Sequence, residues 1–268
     1  MQTAQQQLQA LYVAWQQPET RRYYPVARLV AGVGDLPGLY EFVYVRGAEE
    51  AQKAGFEPFP AFPTLSEVYR SRDLFPFFAN RLMSSSRPDY PSYVQSLGLD
   101  SNADPMLILA RSGGGRATDS IELFAFPART EENGAFRTFF WMHGFRYLDA
   151  GQQSRVRSLQ PGEELFASPQ RDNPVDSNAI QLVTADHTKV GYAPRYLASG
   201  VMDFLSAGVN CRIFVERVNL SAPTQQRLLC RLEASCWPPE FQPFASDTYQ
   251  PIPPDATDLR HWAQWPQG

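Results

Sequence analysis

The apolar positions near the start of the chain fall at Leu8, Leu11, Tyr12 and Trp15, at i, i+3, i+4 and i+7. That spacing predicts a short amphipathic helix within an N-terminal segment 1–21, ended at Pro18. The pattern then becomes β-rich. Runs at 26–30 and 39–45 flank a Gly/Pro turn and predict a hairpin. The stretch GFEPFPAFPTLSEVY is too proline-rich for a helix, and its phenylalanines predict packing against a neighbour. From 73 to 99 the periodicity is helical, with Leu74, Phe77, Phe78 and Leu82 on one face, and YPSYVQSLGL reads as a second helix. DPMLILARSGGGRATDSIELFAF gives two apolar runs around a glycine turn, and RSGGGR reads as a hairpin turn with solvated arginines.

ARTEENGAFR looks like a junction, and TFFWMHGFRYL begins a new unit. EELFASP, NAIQLV, KVGYAP, NCRIFVERVNL and RLLCRLEASC are short apolar or alternating segments separated by turn residues, as in a small barrel or curled sheet. One helix interrupts them, through Leu197, Val201, Phe204 and Leu205, with Gly208 as its stop. The last stretch, 238–268, contains seven prolines and so predicts no regular element; Phe241, Phe244, Tyr249, Trp262 and Trp265 predict that it docks on a domain. The fold class expected is α+β. A small α+β domain (22–136) precedes an OB-like β-barrel with one or two helices (137–237), and a proline-rich tail (238–268) follows.

Composition narrows the classes. The chain has 268 residues, of which 43% are hydrophobic and 19% charged, enough apolar side chain for one large or two medium cores. No apolar run approaches the ~20 residues a membrane helix needs, so no membrane partner is expected. The N-terminus lacks the basic-then-apolar pattern of a signal peptide, and three cysteines make a disulfide framework improbable; a reducing, cytoplasmic setting is the expectation. Net charge is −4, unevenly spread: 12 basic and 15 acidic residues in 1–136, 11 and 9 in 137–237, 1 and 4 in 238–268. The middle segment alone favours an anion, and by so little that any nucleic-acid contact must be compact.

Catalytic and metal patterns are weak. His143, His187 and His261 are far apart, and Cys230 and Cys236 have no second pair nearby, so no metal site is expected. An EF-hand starting at Asp172 would need glycine and glutamate where Ser177 and Val183 stand. GVGDLPG has Pro37 in place of the third glycine, RSGGGR lacks the lysine of a phosphate loop, and no Gly-x-Ser-x-Gly occurs. A non-enzymatic role without cofactors is therefore expected. RDNPVDSNAI builds turns by local hydrogen bonds, and Asp176 and Asn178 suit a cap before strand 179–183. If the sheet curls, they also neighbour Arg146 and Tyr147 of the first strand region, and Tyr192 ends the next strand. Arginine takes phosphate bidentately and tyrosines stack on bases, so this set can form a nucleotide pocket. Asp176 repels phosphate and would have to accept a hydrogen bond from a hydroxyl or a base amine.

GFRYLDAG, GEELFASPQRDNPVDSNAIQLV and KVGYAPRYLASGVMDFLSAG, in that order over residues 137–236, resemble the HIRAN domain. The resemblance implies a modified OB-type barrel, a link to DNA repair and replication-fork remodelling, and capture of the free 3′ end of single-stranded DNA. On these motifs Arg146 and Tyr147 match the phosphate- and base-contacting pair, Asp176 the residue that senses the 3′-hydroxyl, Asn178 its neighbour, and Tyr192 a pocket-lining position. Leu148 and Val175 stand where end-binding members have stacking tyrosines. Residues ~22–127 resemble the N-terminal subdomain of HipA-type kinases through GLYEFVYV and LFPFFANRLMSSSRPDYPSYVQSLGLDSNADPMLILARSGG. Arg81 and MSSS depart from that family's Leu-Leu-Pro-Glu, and no kinase core is present. This second resemblance implies a protein-interaction or regulatory module, an antitoxin-like partner of a HipA-type kinase; a repair factor is the other protein partner expected.

Overall fold

In the computed structural model, 10–32, 38–116, 118–125, 128–129, 136–173, 176, 178–197, 208–235 and 244–258 are described. The chain divides into two units, Met1–Phe126 with Phe244–Gln264 and Pro127–Pro243 with Trp265–Gly268.

The first unit is a five-stranded sheet built from β1 (Ala10–Gln16), β2 (Tyr23–Ala31), β3 (Tyr40–Tyr44), β4 (Tyr69–Ser71) and β5 (Ile121–Ala125), in the order β4-β3-β2-β1-β5. Its pairings are all antiparallel. The expected hairpin is β2 with β3. The expected helix at 8–15 is a correction: from Ala10 onward this segment is the strand β1, between β2 and β5. Ala10 to Ala14 are all buried. A central strand covered on both faces loses the alternation that identifies strands, and its continuous apolar run then fits a helical template equally well.

One face carries Leu11, Leu29, Phe42 and Leu123 and packs against Phe56, Phe59, Phe62 and Phe78. Tyr44 organises this side: its hydroxyl donates to the Phe62 carbonyl (2.7 Å) and accepts from the Phe59 amide (2.8 Å). The proline-punctuated segment thus packs inward, as expected. Phe77 and Phe78 lie in the single turn α2 (Pro76–Ala79), shorter than the periodicity of 73–99 suggests, after an unanticipated α1 (Gly47–Lys53). The helix α3 (Tyr90–Ser96) matches YPSYVQSLGL. The turn at RSGGGR joins the helix α4 (Pro105–Ser112) to β5 rather than closing a hairpin, and Arg111 is buried, donating to the Leu97 carbonyl (3.4 Å).

The other face of the sheet is covered by the segment 244–258. Tyr12 contacts Phe244 and Tyr249, with ring centroids 5.5 and 5.1 Å apart. Ile252 donates its amide to the Tyr44 carbonyl (3.0 Å). Fully buried Glu41 accepts from Arg70 (3.0 and 3.1 Å) and from the Thr257 amide (2.7 Å). The C-terminal segment docks, as its aromatics predicted; Phe241, Trp262 and Trp265 lie outside the described residues.

The second unit is a seven-stranded antiparallel sheet: β6 (Ala128–Arg129), β7 (Phe136–Trp141), β8 (Glu164–Pro169), β9 (Ile180–Val183), β10 (Lys189–Tyr192), β11 (Asn210–Val218) and β12 (Leu228–Ser235), ordered β10-β9-β8-β11-β12-β7-β6. The sheet curls. Glu164 and Leu165 pair with β11, whereas Phe166–Pro169 pair with β9, so β8 serves two neighbours in succession. Met142 continues β7 by donating to the Leu228 carbonyl of β12, and His143 then forms a two-way bridge to Tyr192 of β10 (2.9 and 3.0 Å). That bridge ties the end of β7 to β10 at the far edge and curls the sheet into a half-barrel, the OB-like form expected. Helix α5 (Ala150–Ser158), which the sequence pattern did not suggest, begins in a capping box between Asp149 and Gln152. The helix expected through Val201, Phe204 and Leu205 lies outside the described residues beyond Leu197.

Candidate nucleic-acid interface

Arg146 and Tyr147 lie in a 3₁₀ turn, Phe145–Tyr147, rather than in a strand. The turn is anchored from below by buried Phe145 and Leu148, so its two intervening residues are pushed outward. Tyr147 is 68% exposed. Its ring carries the Arg146 guanidinium, whose carbon lies 4.6 Å from the ring centroid and whose nitrogen donates to the tyrosine hydroxyl. Leu148 is part of the core and offers no stacking surface.

Gly144 starts this turn with φ +83°, and a Cβ there would sit 3.0 Å from Tyr192 Cδ2 and 4.0 Å from Tyr147 Cδ2. The missing side chain brings both rings against one Cα. Tyr192 owes its direction to an irregularity in β10. Residues i and i+3 of a regular strand face opposite sides. Here the register slips between Lys189 and Gly191, so Lys189 pairs with Val183 and Tyr192 with Gln181. Both side chains then face outward. Lys189 Nζ donates to the Tyr192 hydroxyl (2.9 Å) and lies 4.4 Å from its ring centroid. The slip depends on Gly191, at φ +148°, where a Cβ would fall 2.1 Å from Met142 Sδ.

From Tyr192 a chain of hydrogen bonds runs into the acidic loop. The tyrosine hydroxyl donates to Gln170 Oε1 (3.2 Å), Asn173 Nδ2 donates to the same oxygen (3.3 Å), and the Asp176 amide donates to Asn173 Oδ1 (3.2 Å). Asp176 is held from two sides. Its Oδ1 accepts from the Asn178 amide (3.0 Å), and its Oδ2 pairs with Arg195 Nε (3.1 Å). The loop is therefore a turn closed by local hydrogen bonds, as its sequence predicted, and each carboxylate oxygen keeps a lone pair. The Arg195 charge offsets the repulsion an unaccompanied Asp176 would exert on a phosphate. Asn178 is exposed and meets Asp176 through its backbone.

Tyr147 and Tyr192 thus meet at Gly144, and Tyr192 reaches Asp176 through Gln170 and Asn173. Among the described residues, no hydrogen bond or ion pair joins Arg146 or Tyr147 to Asp176 or Asn178. Val175 lies outside the described residues. Gln170, Lys189 and Arg195 belong to this surface and were not singled out by sequence reasoning. Lys189 had a signal, three residues before Tyr192 in KVGY, but its placement needed the bulge. A shallow depression of about 610 Å³ along α5, lined by Asp149, Ser154, Arg155 and Thr188 among others, has no aromatic lining and offers no stacking face. No three His, Cys, Asp or Glu side chains converge as a metal site among the described residues. Burial pushes the Cys211 thiol up to about 12 and raises that of Cys230 as well, so both stay protonated at neutral pH. No described helix is long and apolar enough to cross a membrane.

Fold and surface together are those of a small curled barrel with a cation-dressed aromatic rim. Residues 135–236 match the family model of the HIRAN domain, a binding rather than a catalytic domain, and a DNA-binding role fits this part of the chain. Two solved structures are similar over this part. One is a protein from Lactobacillus plantarum (23% identity, 38% of this chain and 97% of that one, TM-score 0.32); the other is the HIRAN domain of human HLTF (17% identity, 37% and 74%, TM-score 0.29). Among curated proteins none matches the chain significantly. The HIRAN match does not reach the segment 22–127, whose likeness to HipA-type N-terminal subdomains rests on its motifs alone.

Proposed function

We propose that the second unit binds single-stranded DNA and takes up a free 3′ end, as a non-enzymatic recognition module in DNA repair or the response to replication stress. The observation that carries this reading is the exposed Arg146–Tyr147 pair held against Tyr192 at Gly144, with Tyr192 linked through Gln170 and Asn173 to Asp176. Tyr147 and Tyr192 supply stacking faces, and Arg146 supplies a bidentate phosphate donor. Asp176, its charge partly offset by Arg195, accepts a hydrogen bond from the terminal hydroxyl. Asn178 adds an exposed amide beside it.

Fluorescence anisotropy with single-stranded oligonucleotides ending in 3′-hydroxyl or 3′-phosphate tests this directly. The 3′-hydroxyl end should bind more tightly, because a terminal phosphate brings charge against Asp176. Asp176→Ala should remove most of that preference. No binding of either oligonucleotide at low salt would sink the proposal. Equal binding would leave single-strand binding and remove end recognition.

A further inference from the structure

The outward face of β8, β9 and β10 continues the candidate interface away from Gly144. Phe166 pairs with Val183 and Val183 with Lys189; Ser168 pairs with Gln181 and Gln181 with Tyr192. Directly paired residues share a face. The alternate positions Leu165, Ile180, Leu182 and Val190 are buried, so these six side chains point outward. The face carries rings, an amide, a hydroxyl and one cation, and none of the six is a carboxylate. Phe166 is the unexplained member: its ring is not needed by the core, and the residue is 47% exposed.

Strands lie about 4.8 Å apart, and two residues advance a strand by about 6.6 Å, so the backbones of Phe166 and Tyr192 are roughly 12 Å apart. A single strand covers that distance in about two to four nucleotides. Lys189 stands at the Tyr192 end of this path and Gln181 in its middle. The geometry points to Phe166 as a second base-stacking position, reached by a strand that runs from the rim at Tyr147 and Tyr192 across β10 and β9 to β8. This inference rests on the single-strand reading above and extends it from an end pocket to a track.

The test uses the full chain and 5′-fluorescein oligothymidylates of two and eight nucleotides, each with a free 3′-hydroxyl, at low salt. The longer probe should bind the unaltered chain about tenfold more tightly than the shorter. Phe166→Ala should remove most of that gain while leaving the dinucleotide unchanged, and Phe166→Tyr, which keeps a ring, should restore it. The exposed position should leave the fold intact, and an unchanged melting temperature checks the point. Phe166→Ala binding both probes like the unaltered chain overturns the track, as does equal affinity of the unaltered chain for the two lengths. An unaltered chain that binds neither probe overturns the single-strand reading itself.

Discussion

The two units use the same kinds of side chain with different emphasis, although the first also carries cation–ring pairs, Arg22 over Tyr24 at 5.0 Å and Arg81 over Phe77 at 4.6 Å. In the first, aromatics face one another: Phe42 stacks on Phe62 at 3.8 Å between centroids and touches Tyr44 edge-on at 5.1 Å, and both residues are fully buried. Its buried cations are committed internally, Arg81 to Asp119 and the Gly114 carbonyl, Arg28 to the Thr257 carbonyl. In the second, cations lie on rings at or near the surface: Arg146 on Tyr147, Lys189 on Tyr192, Arg212 and Arg231 against Phe214. An aromatic–cation pair inside a core adds stability. The same pair on a rim leaves part of each ring and charge available to a ligand with planar bases and phosphates. Aromatic content alone therefore says little about binding. What separates the two uses is which way the backbone turns the ring.

The largest effects should come from breaking the inward use. Phe42→Ala empties the centre of the first core and should cost about 3–5 kcal/mol, measured by denaturant unfolding. Glu41→Ala leaves Arg70 and the Thr257 amide without this acceptor and should cost less, about 1–3 kcal/mol, because Arg70 is partly exposed and regains water. Oligonucleotide binding by the folded fraction of either variant should be unchanged. A parallel loss of affinity would show that the two units are not separate in function.

Gly191→Ala lies between the two uses, because it attacks the backbone that aims Tyr192. A Cβ would meet Met142 at a position whose φ disfavours side chains, so a loss of about 1–3 kcal/mol is expected, with weaker oligonucleotide binding. Full stability with full binding would mean that the strand keeps its register without the glycine.

How much of this was legible in the sequence follows the same division. GFRY, the Asn-Pro-x-Asp-x-Asn-Ala-Ile order and VGY pointed, through their family resemblance, to the residues now proposed for the rim, because turns are written in short local motifs. The hairpin of β2 and β3 and the docking of the tail were legible in apolar runs. The strand β1 was not: burial on both faces erased its alternation. Neither was the common face of Lys189 and Tyr192, since a bulge reverses what strand periodicity predicts. The partner of Asp176 also escaped notice. Arg195 lies beyond the end of β10, and the pairing of β9 with β10, continued by the Ala193 amide to the Ile180 carbonyl, brings it to the loop.

Breaking the outward use should give smaller, cleaner effects. Tyr147→Ala should leave the melting temperature unchanged, because the side chain is largely exposed, and should weaken oligonucleotide binding by about 1–3 kcal/mol. A shift in melting temperature without a change in affinity would place Tyr147 with the packing aromatics of the first unit and erase the contrast.

Lys189→Gln should be the mildest change and the most diagnostic. The amide keeps a hydrogen-bond donor near the Tyr192 hydroxyl, so the rim should stay in place. The loss of one phosphate contact should flatten the dependence of log affinity on log salt by about 0.7, as expected for a single strand. If the salt slope is unaltered while affinity falls, Lys189 acts by orienting Tyr192 and not by meeting the backbone. Repeating the titration with Arg146→Gln then separates the two cations. Arg146 is exposed and stacked on a ring beside the rim's glycine, so its removal should flatten the slope by a similar amount wherever the ligand's terminal phosphate lies between the two.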